Sequence, residues 1–432
     1  MNLPIYLDNQ ATTRIDPRVL DAMMPYLSDS YGNAASRSHS FGWTAEQAVE
    51  TARAQIARLI GAAPKEIVFT SGATESNNLA LKGAVEAWRA ANPGRTPLIV
   101  TQATEHKAVL DPCLWLQKQG CRLTILPVDS TGLIRLDDLR ALLDAKDEPP
   151  TLVSIMFANN EIGAIQPIAE IGALCREHGV LFHTDAAQAA GKLPIDVVAA
   201  NIDLLSVSGH KLYAPKGVGV LYVRRRGGRV HLAEQMHGGG HEHGMRSGTL
   251  NVPAIVGLGL ACEIAAAELP AESLRLAALR DRFQSALTSA LDQLQVNGPQ
   301  TGSSSAQPSG ASQIGVSQST GAPVSASVQP GDVSARRLPG NLNITFRHVD
   351  SETLMMGLKD VAISSGSACT SAKIEPSHVL RAIGLDDQAA HSTLRFGLGR
   401  FTTEEEIDYV AARLIEVVRS LRELSPAYAD AD

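Results

Sequence analysis

The sequence has few cysteines, no excess of positive charge and no long apolar run. Its five cysteines form no C-x-x-C pair and are odd in number, which favours a reduced chain in the cytoplasm. The formal net charge of −7 argues against a general nucleic-acid-binding protein. No run of 18 uncharged apolar residues occurs, and the first residues are not a basic segment followed by an apolar one. We therefore expect neither a membrane span nor a signal peptide.

Short apolar runs alternate with helical patterns from about residue 65 to residue 262. This alternation predicts the α/β class, with a mostly parallel sheet covered by helices on both faces. In such a sheet, ligand-binding residues lie in the loops that follow the strands. The predicted strands cover residues 66–70, 97–101, 122–126, 152–156, 180–183, 203–207 and 219–223, with helices after Thr74 and over 107–119.

The pattern changes after residue 262. A long helix from Leu274 is followed by predicted strands over 342–346 and 362–364 and then by helices. We interpret residues 16–262 as a large domain, and residues 1–15 with 263–432 as a smaller α+β domain. Within the smaller domain, residues 300–335 are of low complexity, and no charged or aromatic residue occurs between 300 and 331. Such a segment cannot bury enough apolar surface to offset its ordering entropy, so we predict a disordered insertion.

Two residues that follow predicted strands match the needs of pyridoxal phosphate (PLP) chemistry. Lys211, in Ser208-Gly-His-Lys211, offers an amine for a Schiff base with the cofactor aldehyde. Asp185 offers a carboxylate that holds the pyridine nitrogen protonated, so that the ring acts as an electron sink. Taken singly, Lys211 could be a surface lysine and Asp185 a helix cap. Together with the motifs below, they predict a PLP site.

A turn between the strand at 66–70 and the next helix offers an anion-binding site. Gly72 permits a tight turn, and the N–H groups near Ala73 and Thr74 lie at a helix N-terminus. With the hydroxyl groups of Thr74 and Ser208 and the ring of His210, this turn would hold the cofactor phosphate. The alternative is an ordinary helix cap with the same residues.

Other polar residues at strand ends are candidates for contacts with the cofactor ring. His106 follows the strand at 97–101, where a histidine can stack on the pyridine ring and shuttle protons. The alternative is a surface histidine at a helix start. The amides at 159–160 and of Gln188 suit the cofactor's phenolic oxygen, although buried amides are equally common as structural groups.

Cys369 differs from the other cysteines because it lies among small polar residues, in Ser364-Ser-Gly-Ser-Ala-Cys-Thr-Ser371, with no apolar pattern to bury it. This predicts an accessible, mobile thiol, and the alternative is an incidental loop cysteine. Four cysteines lie in apolar or helical surroundings and are predicted to be buried packing residues: Cys113, Cys121, Cys175 and Cys262.

Two arginines in Leu394-Arg-Phe-Gly-Leu-Gly-Arg400 are candidates for binding an amino-acid carboxylate. Arginine pairs bidentately with carboxylates. We choose Arg395 for this role and expect that Arg400 could instead be structural.

These motifs together resemble the cysteine desulfurases of the NifS/IscS type, in the class-V aminotransferase family of fold-type I PLP enzymes. The resemblance runs over nearly the whole chain. The matching segments are 6–8, 11–13, 37–39, 70–75, 104–107, 159–163, 208–211, 237–241, 246–249 and 364–371. The segment around Cys369 resembles the group with the longer mobile loop.

The resemblance implies a fold-type I PLP-dependent transferase, with a large, mostly parallel sheet of the seven-stranded type and a smaller α+β domain. It implies that Lys211 bonds to the cofactor, Asp185 pairs with the pyridine nitrogen and His106 stacks on the ring. Asn160 and Gln188 approach the phenolic oxygen. The implied phosphate ligands are Ala73, Thr74, Ser208 and His210, with Thr249 reaching the phosphate of the other subunit of a homodimer.

The implied reaction converts L-cysteine to L-alanine and leaves a persulfide on Cys369, with Lys211 and His106 as the other catalytic residues. The sulfur would pass to acceptor proteins such as an iron–sulfur scaffold, for cluster assembly and for tRNA thiolation. Apart from a transferred iron–sulfur cluster on Cys369, we expect no metal. The glycine-rich run from His237 to His243 is interpreted as a loop near the dimer interface rather than a metal site, because it lacks a supporting shell.

Alternatives from other classes remain at this point. A selenocysteine lyase need not use Cys369, an aminotransferase would have no use for it, and a non-catalytic partner protein would need neither Cys369 nor Lys211. The chain departs from the family at Gln10 and Ala34 and in the low-complexity segment. Its short C-terminal segment leads us to question scaffold docking, but not the desulfurase chemistry.

Overall fold

The computed structural model describes residues 3–145, 149–300, 336–365, 376–424 and 428. The strands are β1 (Ile5–Tyr6), β2 (Ile67–Thr70), β3 (Leu98–Gln102), β4 (Arg122–Leu126), β5 (Leu152–Ser154), β6 (Leu181–Asp185), β7 (Leu204–Ser208), β8 (Gly219–Val223), β9 (Leu294–Val296), β10 (Asn341–Phe346), β11 (Val361–Ala362) and β12 (Thr393–Gly397). The helices are α1 (Pro17–Leu27), α2 (Ser40–Leu59), α3 (Ala73–Ala91), α4 (Lys107–Lys118), α5 (Leu136–Leu143), α6 (Ile168–Glu177), α7 (His241–Gly244), α8 (Val252–Ala290), α9 (Ser351–Gly357), α10 (His378–Ala382), α11 (Asp387–His391) and α12 (Glu404–Glu423).

The largest sheet has seven strands in the order β2-β8-β7-β6-β5-β3-β4. Its strands are parallel except β8, which runs antiparallel to both of its neighbours. The predicted mostly parallel α/β sheet is therefore confirmed. The sequence pattern did not distinguish the direction of β8, because a fully buried strand reads as the same apolar run in either direction.

Alternate residues of each strand supply the two cores of this sheet, as the pleat requires. On β2, Phe69 packs into the cluster with helices α1, α2 and α8, whereas Val68 packs into the cluster with α3 and α4. On β8, Tyr222 packs into the first of these clusters and Leu221 into the second. Helices therefore cover both faces, and the carboxyl edge of the parallel strands is left for polar loops.

A smaller antiparallel sheet, in the order β12-β10-β9, packs against α8 and α12. The short strand β1 pairs in parallel with β11 beside it. The apolar residues of this part form a cluster of their own, which includes Phe283, Phe346 and Phe396. The segment after β1 then crosses to the large sheet, where Thr13 donates from N and Oγ1 to the carbonyl of His210 at 2.9 and 3.0 Å.

Helix α8 connects the two apolar clusters. It begins after the N-cap Asn251 and carries Pro270 in its interior, so the prediction that the long helix begins at Leu274 was wrong. Packing of both halves of the helix outweighs the local cost of the proline. The predicted boundary at residue 262 falls inside this helix, and the division into two domains stays a prediction. The predicted insertion 300–335 lies, apart from Gln300, outside the described residues.

By length and composition, α8 is also the one helix among the described residues that could cross a membrane. More than half of its apolar window, 56%, is buried within the protein, against α1, α2 and the large sheet. A helix in the core of a protein can be as long and as apolar as a membrane-spanning helix. The packing of α8 therefore accounts for its apolar sequence.

The four cysteines predicted to be packing residues are all buried and free: Cys113, Cys121, Cys175 and Cys262. Burial raises the pKa of the Cys175 thiol to about 12, so this thiol is inert at neutral pH. Cys369 lies outside the described residues.

Candidate active site

The predicted site residues gather at the carboxyl edge of the large sheet. Asp185 ends β6 and Ser208 ends β7, and these strands are neighbours with Asp185 opposite Ser206. His106 follows β3, and Asn160 follows β5. Polar groups that are far apart in the sequence therefore meet where parallel strands end together.

Asp185 is buried, with 5% of its surface exposed, and its partners are uncharged. Asn77 donates from Nδ2 to one carboxylate oxygen at 2.7 Å, and the backbone N–H of Ala187 donates to the other at 2.9 Å. These bonds fix the carboxylate without neutralising it. Sequence reasoning missed Asn77, whose only signal is its place on the buried face of α3, one turn after the predicted anion site.

Lys211 lies in a short 3-10 turn directly after β7, at Gly209–Lys211. Its Nζ donates to the carbonyl oxygen of Ala11 at 2.7 Å and to that of Gln10. Both acceptors are backbone carbonyls of the segment that crosses from β1. In these two hydrogen bonds the amine therefore meets neutral groups.

The predicted phosphate-binding turn is built on a close approach of two glycine backbones. A Cβ on Gly219 of β8 would lie 2.6 Å from the Cα of Gly72, so no larger residue fits there. Gly72 precedes α3 with a φ of +153°. The N-terminus of α3, at Ala73 and Thr74, thus lies beside the end of β7, and a Cβ on Gly72 would be 3.9 Å from Ser208 Oγ.

The rest of this turn is fixed by side chains. Thr70 and Ser76 share a hydroxyl hydrogen bond of 2.7 Å, and Ser71 N–H donates to Glu75 Oε2 at 2.8 Å. Glu75 also pairs with Arg246 at 2.7 Å, which ties α3 to the loop that carries Thr249. Thr249 is exposed.

His210 shares a hydrogen bond of 3.1 Å between its Nδ1 and the hydroxyl of Thr12. Burial, followed by the charge of Lys211, lowers the pKa of His210 to about 4. The ring is therefore neutral at pH 7. It can contribute to an anion site by hydrogen bonding, rather than by charge.

His106 caps α4, where its Nδ1 accepts a hydrogen bond from the N–H of Ala108 at 3.0 Å. Because Nδ1 accepts, the neutral ring carries its proton on Nε2. Burial lowers the pKa of His106, while the nearby charge of Asp185 opposes that shift and the charge of Lys211 adds to it. These mutual effects place His106, Asp185 and Lys211 in one electrostatic environment.

Glu105 is a site group for which sequence reasoning gave no role. It is fully buried, its Oε1 accepts from Met156 N–H at 2.5 Å, and its Oε2 is without a hydrogen-bond partner. Burial, with the charge of Asp185, raises the pKa of this carboxyl well above its ordinary value. Protonation of Glu105 would avoid a second negative charge beside Asp185.

The chain resumes beside His106 after the undescribed segment 366–375. His378 shares a 2.9 Å hydrogen bond between its Nε2 and the carbonyl oxygen of Glu105, and Ser377 donates to Glu161 at 2.5 Å. The start of α10 is therefore fixed at the site edge.

The predicted amide groups have distinct surroundings. Gln188 is 4% exposed, donates from Nε2 to the carbonyl oxygen of Gln10 at 2.8 Å and accepts from Lys192 at 2.8 Å. The side chain of Asn159 is structural, because its Oδ1 caps the N–H groups of Glu161 and Ile162. Asn160 is partly exposed.

Arg395, on β12, faces this edge from the smaller sheet and is 3% exposed. Its Nη2 pairs with Asp8 at 2.8 Å, its Nη1 donates to the carbonyl of Asn160 at 3.2 Å, and its Nε is without a partner. An anion with two oxygens would therefore meet a charged guanidinium with an unused donor.

The donor set fits PLP. It combines an amine, a buried carboxylate held by neutral groups, a helix N-terminus with a hydroxyl beside it, and a neutral histidine. Cys369 lies outside the described residues, and the predicted contact of Thr249 with a second subunit stays a prediction. In the described part of the chain, no group of three or more His, Cys, Asp or Glu side chains could hold a metal ion.

Comparison with known proteins gives concordant results. The family model Aminotransferase class-V matches residues 5–314 and 326–410. The chain is 54% identical over 428 residues to cysteine desulfurase IscS of Anaeromyxobacter sp. (strain Fw109-5), covering 99% of this chain and 96% of that protein. Among solved structures, it is similar to a NifS-like protein with a TM-score of 0.81 and 34% identity, covering 97% of this chain and all (100%) of the other. It is also similar to SspA in complex with cysteine, with a TM-score of 0.73 and 34% identity, covering 92% and 100% of the two chains.

Proposed function

This chain belongs to the class-V aminotransferase family, among the cysteine desulfurases of the NifS/IscS type, and we propose that it takes sulfur from L-cysteine with PLP as its cofactor. The predicted family, the predicted fold class and the predicted desulfurase activity are confirmed. The family is PLP-dependent, and PLP binding by this chain is part of the proposal. The observation that supports the proposal is that Lys211, Asp185 and His106 all follow or end parallel strands at one edge of the large sheet.

PLP, when bound, supplies an electron sink for the charge that develops at the substrate's Cα. Asp185 would hold the pyridine nitrogen, since its carboxyl group is buried and fixed by Asn77. Ala73, Thr74, Ser208 and His210 would hold the phosphate at the N-terminus of α3. Gln188 and Asn160 would lie near the phenolic oxygen.

Lys211 Nζ would bond with the cofactor aldehyde and would then move the Cα proton. An amine needs its lone pair for both tasks, and neutral carbonyl partners do not stabilise its charge as a carboxylate would. Neutral His106, with its proton on Nε2, would stack on the ring and exchange protons beside it.

Arg395 would bind the carboxylate of L-cysteine. Its partnerless Nε and its Nη2 can both face one carboxylate, and the substrate would then compete with Asp8 for the guanidinium. The structure of SspA, at 34% identity, was determined in complex with cysteine. By similarity, cysteine is the proposed substrate here.

Cys369 would take the sulfur. As a thiolate it attacks the sulfur of L-cysteine, the carbon–sulfur bond breaks with its electron pair going to the carbon fragment, and protonation of that fragment gives L-alanine. A persulfide remains on Cys369. A thiol of ordinary pKa, about 8.5, is mostly protonated at neutral pH, so His106 or the substrate must take its proton.

The wider setting is also proposed by similarity. The active unit would be a homodimer in which Thr249 reaches the phosphate of the other subunit. The persulfide sulfur would pass to acceptor proteins, such as an iron–sulfur scaffold for cluster assembly, with tRNA thiolation as a further destination. Cys369 could also ligate a transferred iron–sulfur cluster. We propose a cytoplasmic location, with no direct nucleic-acid or membrane partner.

The direct test is to purify the protein, record the absorbance of bound PLP, and measure alanine and sulfide from L-cysteine with a reductant. The proposal predicts a yellow protein and equal amounts of the two products. The same assay with L-selenocysteine tests the lyase alternative. Activity on selenocysteine with none on cysteine would overturn the proposal, and a colourless protein that takes up no PLP would do so as well.

A further inference from the structure

Lys192 is a second lysine beside the site, and no role in the proposed reaction requires it. Its Nζ donates to Oε1 of Gln188 at 2.8 Å. The other end of that amide, Nε2, donates to the carbonyl oxygen of Gln10 at 2.8 Å. Lys211 donates to the same carbonyl. A chain of hydrogen bonds thus runs from Lys192 through Gln188 to the acceptor of the proposed catalytic lysine.

The local backbone makes this contact specific. Two consecutive turns, closed by Ala189 N–H to Ala186 O and Lys192 N–H to Ala189 O at 2.9 Å each, place Gln188 and Lys192 four residues apart on one side. Gly191 between them has a φ of +70°, and a Cβ there would lie 1.8 Å from a methyl carbon of Leu212. The turn is therefore packed against the residue that follows Lys211.

The contact also decides which way the amide of Gln188 faces. A glutamine amide can be turned by 180° with little change in shape, which exchanges a donor for an acceptor. In this contact the Nζ of Lys192 donates to Oε1, so the oxygen of Gln188 lies on the side of Lys192. The NH₂ end must then face the site, where a phenolic oxygen would need a donor.

The electrostatic surroundings keep the charge of Lys192 low. Burial first, and then the charge of Lys211, lower its pKa to about 7, while Glu272 opposes this shift and Arg395 adds to it. A permanently charged side chain at this position would repel the two functional cations. A lysine here can donate to Gln188 without adding a full positive charge near Lys211.

We propose that Lys192 is a positioning residue, which acts through Gln188 by holding its NH₂ group toward the bound cofactor. This inference rests on the proposed function. It goes beyond that function by assigning to the turn 189–193 a part in tuning the cofactor. Without Lys192, only the hydrogen bond to Gln10 holds this orientation of Gln188 within the described residues. If the amide turns, its oxygen faces the phenolic oxygen and two acceptors oppose one another.

The test is a double-variant cycle on the PLP-bound enzyme, with Lys192→Met, Gln188→Leu and the two combined. The first readout is the midpoint of the pH-dependent absorbance change of bound PLP without substrate, and the second is kcat/KM for L-cysteine. Each single variant is expected to shift the midpoint by about half a pH unit or more and to lower kcat/KM about tenfold. The double variant is expected to match Gln188→Leu alone. Lys118→Met, a change of an exposed lysine on α4, is the control and leaves both readouts unchanged.

A direct effect of the Lys192 charge would persist in the Gln188→Leu background, and additive shifts would overturn the proposal. Lys192→Gln sharpens the distinction and replaces Lys192→Met if that variant does not fold. It removes the charge but keeps an amide donor for Gln188, so a native midpoint supports the proposal and a shifted one contradicts it. If the native protein binds no PLP, the proposed function fails and this inference with it. If native PLP binding and turnover are present but the cycle is additive, only the role of Lys192 fails.

Discussion

Two buried polar regions of this protein hold their charges in opposite ways. In the catalytic region, defined here as Asn77, Asp185, Ser208 and Lys211, Asp185 accepts from an amide and a backbone N–H, and Lys211 donates to backbone carbonyls. In the Arg400 cluster, defined here as Asp16, Tyr213, Glu272 and Arg400, opposite charges pair directly.

The Arg400 cluster shows what charge pairing does. Arg400 bonds to Asp16 at 2.9 Å and to Glu272 at 3.1 Å, and its guanidinium lies 4.3 Å from the centroid of the Tyr213 ring. Hydrogen bonds from Arg18, and then from Arg400, hold the pKa of Asp16 well below its usual range. Charges used in this way stabilise the fold and are not available for chemistry. Charges held by neutral groups, as in the catalytic region, remain available to a ligand.

The largest expected effect is a loss of activity without a loss of stability, caused by a substitution in the catalytic region. Lys211→Ala removes the amine that would bond to the cofactor and move the Cα proton, so alanine formation should fall by at least about 10³-fold. Because Lys211 is partly buried and its hydrogen bonds to Gln10 and Ala11 are with neutral carbonyls, the free energy of unfolding should change by no more than about 1 kcal/mol. Turnover assays and urea unfolding measure the two quantities. Lys216→Ala, in the exposed segment nearby, is the matched control.

The next largest effect is a loss of stability, caused by a substitution in the Arg400 cluster. Arg400→Met leaves Asp16 and Glu272 without this buried partner, and should lower the free energy of unfolding by about 3–5 kcal/mol. The kcat of the folded fraction should remain close to native. Arg282→Met removes an exposed ion pair with Asp408 and should cost less than about 1 kcal/mol. A large loss of kcat with native stability in Arg400→Met would break the comparison between the regions.

Arg395 lies between the two cases, because it pairs with one carboxylate and keeps one unused donor. Arg395→Lys keeps the charge but loses the planar fork, so the KM for L-cysteine should rise about tenfold while kcat changes less. Steady-state kinetics over a range of L-cysteine concentrations measures this. An unchanged KM would remove Arg395 from the substrate site.

The smallest effect concerns His183, which lies on β6 two residues before Asp185. Its ring shares hydrogen bonds with Ser154 at 2.8 Å and Ser206 at 3.1 Å, and burial lowers its pKa to about 3. The unfolded chain, with a histidine pKa near 6.5, binds a proton as the pH falls while the folded chain does not. Stability should therefore fall by about 1 kcal/mol between pH 6 and pH 5 from this group. His183→Gln should reduce that slope in urea unfolding, and an unchanged slope would show that His183 does not titrate on unfolding.

Much of the fold follows from local patterns. The predicted strand boundaries at 122–126 and 219–223 agree with β4 and β8. The strand predicted over 152–156 ends at Ser154, although the N–H groups of Ile155 and Phe157 still donate to carbonyls of β6. Apolar runs identify buried strands, but the antiparallel direction of β8 and the passage of α8 through Pro270 depend on packing with distant residues.

The site was predictable to the extent that its residues form motifs at strand ends. Such signals mark Asp185, Ser208 and Lys211. Each of them ends or follows a short apolar run that predicts a strand, so its position at a strand end can be recognised from the adjacent residues. Asn77 and Lys192 have no such signal. Asn77 contacts Asp185, which is 108 residues away in the sequence, and Lys192 acts through its contact with the amide of Gln188. Only the folded chain shows these contacts.

The most direct measurement of the central claim is alanine and sulfide release from L-cysteine by the native protein, by Cys369→Ser and by Cys262→Ala. Cys262 is buried in α8 and serves as the control for loss of a thiol. The account predicts that native and Cys262→Ala proteins form both products, whereas Cys369→Ser alters the absorbance of bound PLP on adding L-cysteine but releases no alanine. Equal activity of native and Cys369→Ser proteins would contradict it, because the sulfur would then leave the substrate without passing through Cys369.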